Sequence, residues 1–190
     1  MSALLPKMGT YHQSAMGVKG DISRAYAFWE LAADMGSPSA QTFLGRALLA
    51  GYDNPKEGIW SNQPVGMKML ECAFAQGFGK AAHELGLEYE YRKNFKEAIR
   101  VQHEGVKFGS ERCAHSLSSL FRGAEMMNGG PAPDSARAER YSALGDALYH
   151  NRDLRFPNLD KVLPLPPASL PQWDMNQPDT LIDAAKEHAP

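Results

Sequence analysis

Six histidines, His12, His83, His103, His115, His150 and His188, are the side chains best suited to proton transfer or metal binding near neutral pH. Their spacing supports neither. No pair forms H-E-x-x-H, which would place two imidazoles on one helix face around a zinc ion. His83 and Glu84 read as a helix-surface pair. There is no G-x-S-x-G elbow, P-loop or dinucleotide fingerprint, and Gly129-Gly130-Pro131 reads as a loop between helices. Cys72 and Cys113 are too few for a disulfide framework or a zinc cluster. They read as two small buried apolar residues in helices, with a single disulfide left open as the alternative. The expectation is a chain with no catalytic residue, no cofactor and no metal.

The remaining chemistry is that of binding. Tyr89 and Tyr91 stand beside Glu88 and Glu90 in a stretch with helical character. Alternating acids and tyrosines suit an exposed contact face, where aromatic side chains supply most of the binding energy. The alternative is that one tyrosine packs into the core. Trp60, in the long stretch 51–64, is an exposed anchor or else packs back over neighbouring helices. Candidate partner-binding residues are therefore Trp60, Glu84, Glu88, Tyr89 and Tyr91.

Bulk properties narrow the partner. The 190 residues carry 20 basic and 22 acidic side chains, without the basic excess typical of nucleic-acid binding. No apolar run approaches the ~18 residues of a membrane span. Met1 to Thr10 lacks the basic and apolar segments of a secretory signal.

The elements that must position these residues come from an internal repeat. AYAFWELAADMGSPSAQTFLG from Ala25, GMKMLECAFAQGFGKAAHELG from Gly66 and AIRVQHEGVKFGSERCAHSLS from Ala98 align without gaps. A looser copy begins at Ala138, with Gly145 in register. Small or apolar residues recur at helical spacing, as in Ala25, Trp29 and Ala32, then Gly66, Leu70 and Ala73. Each copy then has a glycine, Gly36, Gly77 or Gly109, where the first helix should end in a left-handed turn. Small residues Ala40, Ala81 and Cys113 follow, then Leu44, Leu85 and Leu117. Gly45 and Gly86 sit next to the repeated leucine, where two helices should approach closely. Ser37 and Pro38 suit the start of a second helix. The pattern predicts helices over 24–35, 39–50, 64–76, 79–91, 95–108, 111–127 and 135–149, with a short one near 2–11 limited by Pro6. Such helix pairs bury their apolar faces only by stacking, so the predicted class is an all-α solenoid with almost no β-structure.

These positions resemble Sel1-like repeats, which read A-x-x-x-L-G-x-x-Y-x-x-G and then A-x-x-W-x-x-x-A-A-x-x-G. Ala40, Leu44 and Gly45 match the first half, as do Ala81, Leu85 and Gly86; Ala25, Trp29, Ala32, Ala33 and Gly36 match the second. Tyr11, Gly17, Val18 and Asp21 resemble the joint between halves, with altered spacing. The resemblance covers 8–150, and Ser118 departs from it where a helix glycine is usual. The stretch LDKVLPLPPASLPQWD from Leu159 to Asp174 is similar to the end of Sel1-repeat immunity proteins encoded beside type VI secretion lipase effectors, with Met175 departing from their glycine. The chain opens midway through a repeat, so the resemblance is to a C-terminal portion.

What the resemblance implies is an immunity protein, not an enzyme. It would bind and occlude a phospholipase-D-like toxin in the periplasm. The toxin's own paired H-x-K-x-x-x-x-D motifs are absent here. A generic Sel1-type scaffold and an accessory of a peptidoglycan- or carbohydrate-associated enzyme are the rivals. Three regions are expected: a repeat solenoid over 1–150, an extended proline-rich cap over 151–174, and a polar, mobile or weakly helical tail over 175–190. The cap over 159–173 should be non-helical, with its carbonyls toward water. Its leucines and Trp173 should cover Tyr141, Leu144 and Leu148, making it structural and not a binding element.

Overall fold

The computed structural model describes residues 4–54 and 58–186; for 52–54 and 58–60 it describes the backbone alone. The chain divides into two compact units, Met1–Glu84 and Leu85–Pro190.

The first unit holds α1 (Leu5–Ser14), α2 (Ile22–Asp34), α3 (Pro38–Ala50), α4 (Gln63–Ala75) and the start of α5 (Gly79–Tyr91). Capping chemistry sets the starts. Asp21 accepts from the Arg24 amide at 3.1 Å, and Asn62 from that of Val65 at 3.2 Å. Ser37 caps α3 with Pro38 in its first turn, as the sequence predicts. The turns between paired helices depend on glycine: Gly36 and Gly77 have φ of 82° and 75°, where a side chain would be strained. Ala25, Trp29, Ala32, Ala33, Ala40 and Leu44 form the buried cluster, with Leu5, Tyr26, Phe43 and Met69 packed on it. Trp29 packs against Phe43 with ring centroids 3.9 Å apart and planes tilted by 43°, and donates from Nε1 to the Pro6 carbonyl at 3.2 Å. Helices α3 and α4 cross at Gly45 and Gly66. A Cβ on Gly45 would lie 2.9 Å from the Gly66 carbonyl oxygen, and one on Gly66 2.8 Å from that of Gly45.

The second unit continues α5 and adds α6 (Phe95–Lys107), α7 (Glu111–Phe121), α8 (Ser135–His150), a single turn α9 (Leu159–Val162) and α10 (Pro178–Lys186). Gly109, with φ of 85°, closes the third repeat turn. Ala98, Val101, Cys113, Leu117, Leu144 and Leu148 are buried between α6, α7 and α8. Ala81 and Leu85 on α5 are also buried. A Cβ on Gly86 would overlap the side chain of Gln102.

Five expectations change. First, residues 52–60 are not wholly loop: β1 (Tyr52–Asn54) and β2 (Gly58–Trp60) pair antiparallel with Tyr52 opposite Trp60. β-Branched and aromatic residues such as Tyr52, Ile59 and Trp60 favour this pairing over helix. Second, α7 stops at Phe121 and not at 127, because Gly123 takes a φ of 93° and its amide closes the turn on Leu120. Third, Cys72 is exposed while Cys113 is buried, and the two are not joined by a disulfide. Cys72 lies off the stripe of Gly66, Leu70 and Ala73 that faces the core. Fourth, the cap is not wholly extended, since α9 opens it; Leu159 and Leu163 are buried there and hold one helical turn. Fifth, part of the tail is an ordered helix. α10 docks through Leu181 and Ala185, four apart on its apolar face, and the Ala185 carbonyl accepts from the Asn158 amide at 3.1 Å. Residues 187–190 lie outside the described residues.

Candidate interaction surface

Four of the predicted binding residues, Glu84, Glu88, Tyr89 and Tyr91, lie on α5 but differ in exposure. Glu84, in the first unit, pairs with Arg46 at 3.4 Å and its side chain is only 10% exposed. Glu88 pairs with Arg92 one turn on, at 2.8 Å. Tyr89 is half-buried, whereas Tyr91 is 84% exposed. Glu90 turns inward to accept from Gln102; burial pushes its carboxyl up, and nearby Glu125 adds to this. Leu87, one turn before Tyr91, is an exposed apolar neighbour that the sequence reading missed. Trp60 lies in β2 with its side chain outside the described residues. Among the candidates whose side chains are described, Tyr91 presents the most open aromatic face.

A second constellation forms where α6, α8 and the C-terminal segment meet. His103 is 1% exposed. Its Nε2 lies 2.8 Å from Asp160 Oδ1 and its Nδ1 2.7 Å from the Tyr141 hydroxyl. A carboxylate only accepts, so Nε2–H donates to Asp160 and Nδ1 accepts from Tyr141. Lys107 donates to the other Asp160 oxygen at 2.7 Å and to Glu104 at 2.8 Å. Burial pushes Asp160 up, but hydrogen bonds from Lys107 and His103 outweigh it and hold the carboxyl low.

Tyrosine, histidine and aspartate in series invite comparison with a nucleophilic relay. The geometry argues otherwise. Tyr141 is fully buried, and burial drives its hydroxyl far above the tyrosine range. No substrate can reach that oxygen, and the chain of hydrogen bonds serves to tie α9 to α6. Among the described residues, no group of three or more His, Cys, Asp or Glu side chains could hold a metal ion.

Two arginines three apart on α8 hold the rest of the segment. Arg137 pairs with Asp134, donates from Nε to the Pro164 carbonyl at 3.3 Å and also donates to that of Ala168. Arg140 donates to the Val162 carbonyl at 2.6 Å and to that of Pro171, and its guanidinium lies 5.5 Å from the Trp173 ring centroid. Four carbonyls of this strap (159–173), those of Val162, Pro164, Ala168 and Pro171, therefore turn inward to buried arginines and not outward to water. The proline-rich sequence explains why. With few amides and an extended backbone, its carbonyls have no helical partners and need external donors. Phe156, Leu159 and Leu163 are the fully buried anchors, while Trp173 is half-buried. Trp173→Ala should therefore cost about 2 kcal/mol, less than a fully buried tryptophan would. An unchanged thermal melt would show that Trp173 adds nothing to the strap.

Burial holds His103 below the usual histidine range, against the opposing pull of Asp160. The unfolded chain thus takes up a proton near pH ~6.5 that the folded chain resists. Stability is then lost as pH falls from ~6.5 toward the folded value, by at most about 1.4 kcal/mol per pH unit for this one group. Melting temperatures from pH 8 to 5 check this. His103→Gln should melt lower at pH 8 but decline less steeply; parallel curves would contradict it.

A family model described as a domain of unknown function (DUF6396) matches residues 113–183. That stretch contains Arg137, Arg140, Tyr141, Asp160 and Trp173 but begins after His103. No curated protein matches the chain. Among solved structures, a Sel1 repeat protein from Oxalobacter formigenes has a TM-score of 0.64 at 21% identity, covering 78% of this chain and 58% of that one. The fold is a Sel1-like repeat fold. The chain is also similar to Pseudomonas aeruginosa 5086 (PA5086), with a TM-score of 0.63 and 24% identity over 87% of this chain and 75% of that one. It is similar as well to immunity protein Pa5087 from Pseudomonas aeruginosa, with a TM-score of 0.62 and 25% identity over 94% of this chain and 80% of that one. Within the Sel1-like fold, the repeat stripes and glycine turns were legible from sequence. The clasp residues His103, Lys107, Arg137 and Arg140 were not. The one available signal was the pair of arginines three apart on a helix, upstream of a segment rich in unpartnered carbonyls.

Proposed function

We propose that this chain is an immunity protein that binds a toxin and blocks it by occlusion, without catalysis of its own. The observation that carries the reading is the likeness to an immunity protein over 94% of this chain at 25% identity. Repeated helix pairs suit the role because they offer a pre-organised surface, so little is lost to ordering on binding. The toxin we infer is a secreted lipase of the phospholipase-D-like class delivered by type VI secretion, and the site of action the periplasm. This finer reading comes from the LDKVLPLPPASLPQWD ending of the sequence. Among the described residues no helix is long and apolar enough to cross a membrane.

The test is co-purification with the product of the adjacent gene, followed by a phospholipase assay of that product with and without this chain. A stable complex with suppressed lipase activity is expected. A complex with undiminished activity would favour the scaffold reading. Phospholipid hydrolysis by this chain alone would overturn both.

A further inference from the structure

The outer edge of the strap and α10 frame a groove of about 810 Å³, walled by Arg140, Lys161, Leu170, Trp173, Asp174 and Leu181 among others. Its charge is incompletely satisfied. Arg140 is 5% exposed, yet among the described residues no carboxylate pairs with it, whereas Arg137 one turn earlier has Asp134. Both Arg140 partners are neutral carbonyls. Asp174, also in the wall, forms no ion pair with Arg140; its Oδ1 accepts from the Asn176 amide and side chain, each at 3.0 Å. Two donors in the wall, Arg140 Nε and Trp173 Nε1, are shielded from solvent and have no acceptor. They belong to stacked groups, since the guanidinium lies over the indole ring. Buried donors are ordinarily paired, so two orphans beside a cation with no direct carboxylate partner mark a place where an acceptor fits.

We propose that this groove receives the carboxylate of an acidic side chain from the partner protein. The proposal rests on the protein-binding reading above and names the chemistry of one contact. A carboxylate has two acceptor oxygens, enough for Arg140 and the indole N–H together. With Arg140 and Lys161 against Asp174, the wall carries one net positive charge, which matches a single negative charge better than a doubly charged phosphate. Apolar walls from Leu170 and Leu181 suit the methylenes of a glutamate carried on an extended segment. The strap is then structural on its inner side and part of a binding surface on its outer side, which its proline-rich composition alone does not reveal.

The experiment uses the full chain and does not need the partner. Acetyl-Ala-Glu-Ala-amide, its Gln counterpart and inorganic phosphate are titrated while the Trp173 indole N–H resonance is followed, assigned with Trp173→Phe. Saturation by the Glu peptide with a Kd of about 1 mM is expected, with at least about tenfold weaker response to the Gln peptide and to phosphate. Arg140→Gln should abolish the response while the remaining spectrum stays folded. If that variant loosens the strap, Lys161→Glu should weaken the Glu peptide severalfold with the fold intact. Equal responses to Glu and Gln peptides, no response at about 10 mM, or a response dominated by phosphate would each overturn the proposal. Failure here leaves the lipase-inhibition assay untouched, and failure of that assay leaves the peptide result standing.

Discussion

Arg137→Met is expected to destabilise the chain by about 3–5 kcal/mol, the largest single-residue effect in the second unit. The magnitude follows from what is left behind. Arg137 is 7% exposed and serves three acceptors at once: the Asp134 carboxylate and the carbonyls of Pro164 and Ala168. Methionine fills similar volume, so the loss is electrostatic and not a cavity. Asp134 still caps α8 through the Arg137 amide at 3.0 Å, but its charge loses its guanidinium. Burial pushes Asp134 up, and the contacts with Arg137 outweigh it to hold the carboxyl low; removing them should return it toward the ordinary aspartate range. Urea unfolding measures the loss. Arg137→Lys should recover only part, because one ammonium lacks the planar fork that spans the strap carbonyls and Asp134 together. A cost under about 1 kcal/mol would mean that the strap is held by its apolar anchors alone.

Gly45→Leu should cost at least about 3 kcal/mol, and Gly86→Leu about 1–3 kcal/mol. The two glycines hold the same place in the repeat, but they face different obstacles. At Gly45 the obstacle is backbone: the Gly66 carbonyl oxygen is 2.9 Å from where Cβ would sit, so α3 and α4 must separate. At Gly86 the obstacle is a side chain: Gln102, fully buried, would have to shift from Cγ outward and give up its hydrogen bond to Glu90. Thermal melts of both variants test the order. An unchanged melt at Gly86 would place that residue outside the helix contact, and equal losses would remove the backbone distinction.

How much of this was readable beforehand depends on the range of the interaction. The stripe of Ala25, Trp29 and Ala32 is buried as its helical spacing requires. Gly36, Gly77 and Gly109 take the left-handed turns that their positions imply. Ser37 caps its helix through an amide three residues away. All of these are local rules, acting within one or two turns. The partner-binding candidates fared differently, because exposure is decided by what packs against a helix. Tyr89 and Tyr91 are two residues apart, yet one is half-buried and the other open.

Amino-acid order by itself determined the helices, their caps and turns, the small-residue seams and the all-α class, because each depends on periodicity or on backbone preferences within a few residues. Tertiary structure alone decided the clasp. His103 meets Tyr141 across 38 positions and Asp160 across 57, and Arg140 reaches Pro171 across 31. No spacing rule links such residues. They come together only when α6 and α8 both pack on α7 and the proline-rich strap, with few amides of its own, is drawn to the buried donors they present.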